Sequence, residues 1–255
     1  MSGHSKWATI KHKKGKADAA RGKLFSKLIR ELTVSARAGG GDPNANPRLR
    51  TVVDAARDAN MPMDNIERAI KKGTGELPGT TYEESMYEGY GPGGVAIMVR
   101  VLTDSKNRTT AEIRHIFEKY GGSMGSANSV AWQFQPKGVI AIARDKADED
   151  TILSLALEAG ADDVVTEEAG YTITTSPDAY GPVKKAFKEK GIPWESAELT
   201  RVAQSPVALN EKDASRVLRL IDMFEEQDDV QQVFSNHAIP DEVTSKLAEE
   251  SSESR

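Results

Sequence analysis

The pattern of apolar residues changes period once along this chain, and that change limits the folds open to it. Ahead of Thr74-Gly75-Glu76-Leu77-Pro78-Gly79-Thr80-Thr81 apolar side chains recur at helical spacing. Beyond that linker-like stretch, short β-rich runs alternate with amphipathic segments. Leu24, Phe25, Leu28, Ile29, Leu32 and Ala36 share one face of a helix expected from about Asp18 to Ala38, which Gly39-Gly40-Gly41 ends. Asn46-Pro47 supplies a cap and a first helical residue for a second helix that buries Leu49, Val52, Val53 and Ala56. Met61-Pro62 breaks it, and a third helix from about Pro62 to Lys72 stops at Gly73. Three short helices with short connections make a small bundle.

Past the linker, Tyr82–Tyr90 and Val95–Leu102 read as strands joined by Gly91-Pro92-Gly93-Gly94. A helix from about Arg108 to Tyr120 and a strand Val130–Phe134 follow. Residues 137–202 then run strand Gly138–Ala143, helix Asp150–Ala159, strands Asp163–Glu167 and Tyr171–Thr175, helix Pro182–Lys190, strand Glu195–Val202. That is the ferredoxin-like β-α-β-β-α-β order. A strand Val207–Leu209, a helix Lys212–Gln227 capped by Asn210 and a strand Val230–Phe234 are expected to complete the sheet begun at Tyr82. The fold class is therefore α+β: an N-terminal three-helix domain, then two α/β sandwich-type domains, one ferredoxin-like and inserted in the other. The expected domains are 1–78 (helical, basic, with an N-terminal arm), 79–136 plus 203–240, and the insertion 137–202. An acidic tail, 241–255, is expected to be disordered.

Charge is segregated along the chain. The formal net charge is -5, but residues 1–78 hold 16 basic and 8 acidic side chains, a net of +8, leaving -13 for the rest. A basic end on an acidic body is the footprint of a protein that meets a polyanion. There is no cysteine, so disulfides, thiolate metal sites and thiol nucleophiles are excluded. No apolar run reaches the roughly 18 residues of a membrane helix, and the N-terminus lacks a signal-peptide core, so a cytoplasmic protein without membrane partners is expected.

Several motifs resolve into ordinary structure. Gly89-Tyr90-Gly91-Pro92-Gly93-Gly94 matches the dinucleotide string G-x-G-x-x-G, but it joins two strands and reads as a glycine-rich hairpin. Asp42-Pro43-Asn44-Ala45-Asn46 imitates a calcium loop, yet Pro47 stands where glycine is needed and Val53 where the bidentate Glu belongs. His4, His12, His115 and His237 have no zinc spacing, and neither a nucleophile elbow nor a phosphate loop is present. No cofactor, metal or catalytic residue is assigned, and an enzyme is not expected. Thr103-Asp104-Ser105-Lys106-Asn107-Arg108-Thr109 leads from a strand into a helix. It reads as a turn and cap, or alternatively as a partner-contacting loop through Asp104, Asn107 and Arg108.

The basic end supplies the candidate site. Lys6, Lys11, Lys13, Lys14 and Lys16 stand without an acid among them in the first sixteen residues, with Trp7 available to stack on a base and His12 beside the lysines. Lys16, Lys23, Lys27, Arg30 and Arg37 form one stripe of the first helix opposite its apolar face, and Arg21 adds to the candidate set. These cations are expected to hold phosphates, and Lys23, Lys27 and Arg30, all off the apolar face, to be needed for binding yet dispensable for folding. With no zinc finger or RNP1 aromatic motif, phosphate gripping on structured RNA is favoured over base readout in duplex DNA.

Several longer motifs resemble the YebC family. They are Gly3-His4-Ser5-Lys6-Trp7, Arg21-Gly22-Lys23, Gly40-Gly41-Asp42-Pro43 with Asn46-Pro47, Asn65-Ile66-Glu67-Arg68-Ala69, Tyr87–Val95, and Leu102-Thr103-Asp104 with Asn107-Arg108-Thr109. The similarity runs from residue 2 to about residue 243, so no transit peptide is expected. Ser105-Lys106 departs from the Asn-Arg more typical of the family. The resemblance implies a three-domain α+β protein. It also implies two roles, since members are named as DNA-binding transcriptional regulators, while a mitochondrial relative activates translation and bacterial relatives are tied to the ribosome. Both stay open here: RNA or ribosome binding in aid of translation, or duplex DNA binding in transcription.

Overall fold

The computed structural model describes residues 17–240 and Val243, so the arm with Lys6, Trp7, Lys11, His12, Lys13, Lys14 and Lys16, and almost all of the acidic tail, lie outside the described residues. Helix α1 (Ala17–Gly39), α2 (Pro47–Asp58) and α3 (Met63–Thr74) form the bundle. Its core is Leu28, Leu32, Ala36, Leu49, Val53, Ala56, Met61, Ile66 and Ala69, with Phe25, Ile29 and Val52 packed against it. Leu24, placed on the apolar face by spacing, is instead exposed. Asn46 ties two helices together. Its side-chain oxygen accepts the Leu49 N–H at 3.1 Å, capping α2, while its amide donates to the carbonyls of Ser35 and Gly40 at 2.8 and 2.9 Å, closing the end of α1. The turn before it is an Asx turn, in which Asn44 N–H donates to Asp42 Oδ1 at 2.9 Å.

The middle sheet has the order β3-β1-β2-β9, all antiparallel: β1 is Glu83–Tyr90, β2 Ala96–Thr103, β3 Ser123–Met124 and β9 Val230–Ser235. Strands β2 and β9 pair although more than 120 residues separate them, and the second sheet fills the interval. Helices α4 (Lys106–Lys119) and α7 (Glu211–Glu226) cover one face, where Phe117 and Phe224 meet edge to face at 4.7 Å. Ala96, Met98, Val130, Phe134 and Phe234 pack on the other face. Burial on both faces is why β2 reads as an almost unbroken apolar run. The Gly91–Gly94 segment is the expected hairpin connection, with Gly93 and Gly94 at φ 69° and 75°, values a side chain would strain.

Strands β4 (Phe134–Ala143), β5 (Asp163–Thr166), β6 (Gly170–Thr175) and β7 (Ser196–Ala203) build the second sheet, order β5-β6-β4-β7, with α5 (Glu149–Glu158) and α6 (Pro177–Glu189) between strands. This is the ferredoxin-like order, every pair antiparallel, inserted between β3 and the closing elements of the first sheet. The Val207–Leu209 strand, expected in the sheet begun at Tyr82, instead forms a separate short parallel pair beside α7, β8 (Val207–Ala208) with β10 (His237–Ala238).

Two local expectations change. The Val130–Phe134 strand is a loop and a 3₁₀ turn at Ala131–Gln133, because the buried Glu88 carboxylate takes its backbone donors away from any ladder: Asn128, Val130 and Ala131 N–H donate to it at 2.8, 2.8 and 2.9 Å. Helix α6 begins at Pro177, capped by Ser176, rather than at Pro182, which lies inside it.

Helices α1 and α3 cross at Gly73, where a Cβ would meet the Thr33 carbonyl oxygen and stand 2.8 Å from the Ala36 Cβ. Gly73→Ala is expected to force the helices apart and lower unfolding free energy by about 1–3 kcal/mol, read from denaturant midpoints.

Candidate nucleic-acid interface

Helix α1 carries two chemistries on its polar side. Lys23, Lys27 and Arg30, spaced over two turns, do not face open solvent. The Lys23 ammonium donates to the Glu226 carbonyl, Lys27 Nζ to the Glu225 carbonyl at 3.3 Å, and Arg30 to the Asp228 carbonyl at 2.6 Å. These are carbonyls at and just past the C-terminus of α7, where the helix has no further N–H to offer and its dipole is negative. The last turn of α7 has no basic residue of its own and ends in Glu225-Glu226, an arrangement that costs stability unless cations arrive from elsewhere. Helix α1 brings them.

Arg30 also reaches Asp229 Oδ1 at 2.8 Å and lies 5.4 Å from the centre of the Tyr82 ring. Asp229 is buried and accepts from four side chains in all: Arg30, then Thr103 at 3.0 Å, Thr109 at 2.6 Å and Arg108 at 2.8 Å on Oδ2. Burial pushes its carboxyl up. The hydrogen bonds from Thr109, Arg108 and Thr103 and the charge of Arg30 outweigh that, holding it below its ordinary value. The loop Thr103–Thr109 is thus half of an internal ionic junction. Arg108 bridges Asp104 and Asp229, Ser105 N–H donates to Thr103 Oγ1 at 2.9 Å, and Asn107 remains exposed.

A second ionic cluster lies alongside. Arg100 on β2 pairs with Glu31 of α1 and with Glu84 of β1 at 2.9 Å, while Arg48 of α2 reaches Glu84 at 3.0 Å. On the far side Lys184 of α6 meets Asp58 of α2 at 2.7 Å. The helical domain is therefore tied by charge to both other domains.

Of the described candidates, Lys23, Lys27 and Arg30 come together on the α7 terminus, a correction to the expectation that they are dispensable for folding. Arg37 is exposed, and the side chain of Arg21 is not among those described. Sequence reasoning missed Asp229, Arg48 and Arg100. The signal for Asp229 was legible: four acids in Glu225-Glu226-Gln227-Asp228-Asp229 at a helix C-terminus call for cations from elsewhere in the fold. Arg37, Arg50, Arg68 and Lys71 are exposed, with no ion pair among the described residues. The exposed N-terminal half of α3, the recognition position in a helix-turn-helix, carries Asp64 and Glu67.

A cleft of about 470 Å³ also opens between β7 and β9, lined by Glu198, Thr200, Arg201, Gln232 and His237 among others. Ser235 Oγ lies 2.6 Å from His237 Nδ1, but burial holds that imidazole down to about 4, too weak a base to activate a hydroxyl at neutral pH. No group of three or more metal-ligating side chains occurs among the described residues.

The family model described as the TACO1/YebC protein N-terminal domain matches residues 5–76, and that for the TACO1/YebC second and third domain matches 82–237. The chain belongs to the TACO1/YebC family. A relative from Desulfatibacillum aliphaticivorans, named a probable transcriptional regulatory protein, is 57% identical over 95% of this chain and 98% of its own. One of the same description from Geobacter sulfurreducens is 55% identical over 97% of this chain and 100% of its own. A crystal structure of a conserved hypothetical protein from Aquifex aeolicus, 49% identical, matches with TM-score 0.80 over 89% of this chain and 94% of that one. Among the described residues no helix of this TACO1/YebC member is long and apolar enough to cross a membrane.

Removing the Asp229 carboxylate leaves Arg30 and Arg108 facing a site built for charge. As Arg30 and Arg108 keep access to water, Asp229→Ala is expected to lower unfolding free energy by about 1–3 kcal/mol at pH 7. Because folding lowers this carboxyl's pKa, its contribution is full above the unfolded value of about 4 and is lost as pH falls through the folded value. The gap between wild type and variant, followed by denaturant melts across pH, should begin to narrow as pH falls below about 4 and keep narrowing through the lower folded value.

Proposed function

We propose that this protein is a nucleic-acid-binding regulator of gene expression that acts on RNA, ribosomal or messenger, in aid of translation. The observation that carries the reading is the segregation of charge: +8 in residues 1–78 against -13 in the remainder. Lys6, Lys11, Lys13, Lys14 and Lys16 hold phosphates, Trp7 stacks, and Arg37 with the exposed Arg50, Arg68 and Lys71 extends the grip over the bundle. Lys23, Lys27 and Arg30 contribute indirectly, by fixing the bundle against the acidic body so that only the basic end meets the polyanion.

RNA is favoured over duplex DNA by Asp64 and Glu67 on α3. A helix entering the major groove presents its N-terminal residues to the bases between two rows of phosphates, where carboxylates are repelled. Duplex DNA remains the competing reading, in keeping with the transcriptional description of the relatives. Co-sedimentation with ribosomes and binding to random duplex DNA, across 50–200 mM salt, separate the two. Saturable ribosome association with DNA binding lost at the upper salt is expected; retained DNA binding with ribosomes ignored would transfer the assignment to transcription. If ~6–10 cations neutralise phosphates, affinity falls by ~10³–10⁵ over that range. Changing Lys11, Lys13 and Lys14 together to Glu should then lower the salt-dependence slope by about 3 while leaving the melting temperature unchanged.

A further inference from the structure

Trp132 is the most exposed large apolar side chain among the described residues, at 71%, and it is held in place. Its indole Nε1 donates to the Ser129 carbonyl at 3.2 Å, and the hydroxyl of Tyr90, itself 39% exposed, donates to the same oxygen at 3.2 Å. One carbonyl takes the polar end of both rings, which leaves ring surface to solvent. The support beneath is rigid. The buried Glu88 carboxylate accepts the N–H groups of Asn128, Val130 and Ala131, Gly125 N–H donates to the Glu88 carbonyl at 2.8 Å, and Asn128 sits at φ 65° to make the bend. The fold gains little from this indole, since most of its surface stays in water.

The surroundings select among ligands for such a surface. From Lys119 to Pro136, the segment that carries the loop and Trp132, the chain holds not one Asp or Glu, although residues 79–255 carry 31 acids. The carboxylate beneath the loop, Glu88, is buried and taken up by three backbone N–H groups. Gly121–Ser129, the loop beside the rings, contains nothing bulkier than Met124. Ser126 and Asn128 are exposed there, offering donors and acceptors to a base edge. A proline-rich peptide would also use an exposed indole, but it makes no demand for the removal of carboxylates. A phosphodiester does.

We infer that Trp132 and Tyr90 form a stacking platform for an unpaired nucleobase of single-stranded RNA. The inference rests on the RNA reading above and adds a second, separate contact. Tyr90 closes β1 six residues after Glu84, which pairs with the helical domain, so the platform lies about 20 Å along the strand from that junction. An RNA that engages both the basic end and the platform is held at two points.

The test uses the full chain, with wild-type Trp7 and Trp194 wherever affinity is read. Trp7→Phe and Trp194→Phe enter only where emission is read, which leaves Trp132 as the sole indole there. Labelled oligoadenylate is titrated while anisotropy reports binding and Trp132 emission reports stacking. Binding should quench the emission. Trp132→Ala should weaken affinity about tenfold or more with the salt slope unchanged, and Trp132→Phe should restore most of it. Undiminished affinity in Trp132→Ala, with Trp132 emission unaltered in the complex, would overturn the platform and leave the basic-end reading standing. Quenching by a proline-rich peptide but not by RNA would overturn it in favour of a peptide site. Absence of any oligoadenylate binding at low salt would remove the RNA reading itself and the platform with it.

Discussion

The C-terminus of α7 sets how this protein is assembled. A helix that ends in Glu225 and Glu226 and is followed by Asp228 and Asp229 concentrates negative charge where its own dipole is already negative. The remedy is long-range: Lys23, Lys27 and Arg30, some two hundred residues earlier, donate to the exposed carbonyls. Arg30 and Arg108 then meet on Asp229, whose carboxylate also ties down Thr103 and Thr109. One acidic helix end thereby fixes the helical domain, the loop after β2 and the start of β9 in a single arrangement.

That arrangement divides the basic residues into two groups with different work. Lys23, Lys27 and Arg30 on the first helix point at the body and serve docking, while under the reading proposed above the arm and the outer bundle hold the polyanion. With the acidic end of α7 taken up in docking, the body as a whole still carries net negative charge, which under the RNA reading proposed above confines nucleic acid to the basic end. The acid-free stretch around Trp132 breaks that rule on the body, and it does so where a rigid loop presents an aromatic face.

Much of the fold was legible because the signals were local. Helical periodicity broken by Gly39-Gly40-Gly41 and Met61-Pro62 gave the bundle, Asn46 and Asn210 gave caps, and the strand–helix order of 137–202 gave the ferredoxin-like sheet. The Val130–Phe134 strand misread because its apolar residues are drawn into a loop by Glu88, a carboxylate forty residues earlier that no window of local sequence contains. The candidate site was legible only in part. Helical spacing placed Lys23, Lys27 and Arg30 correctly on one stripe, but a stripe opposite an apolar face can meet solvent or another domain, and local sequence does not say which. The motif Thr103–Thr109 was visible as a turn and cap, while its partner Asp229 was signalled only by the cluster of acids at the end of α7, which calls for cations without saying which.

Lysine reactivity mapped by acetylation, on the free protein and on its complex with ribosomal RNA, tests this division of the cations most directly. Lys23 and Lys27 should be slow to react in both states, and Lys6, Lys11, Lys13, Lys14 and Lys16 should react readily when free and become protected by RNA. Reactive Lys23 and Lys27 that RNA then shields, or arm lysines that RNA leaves unprotected, would contradict the account.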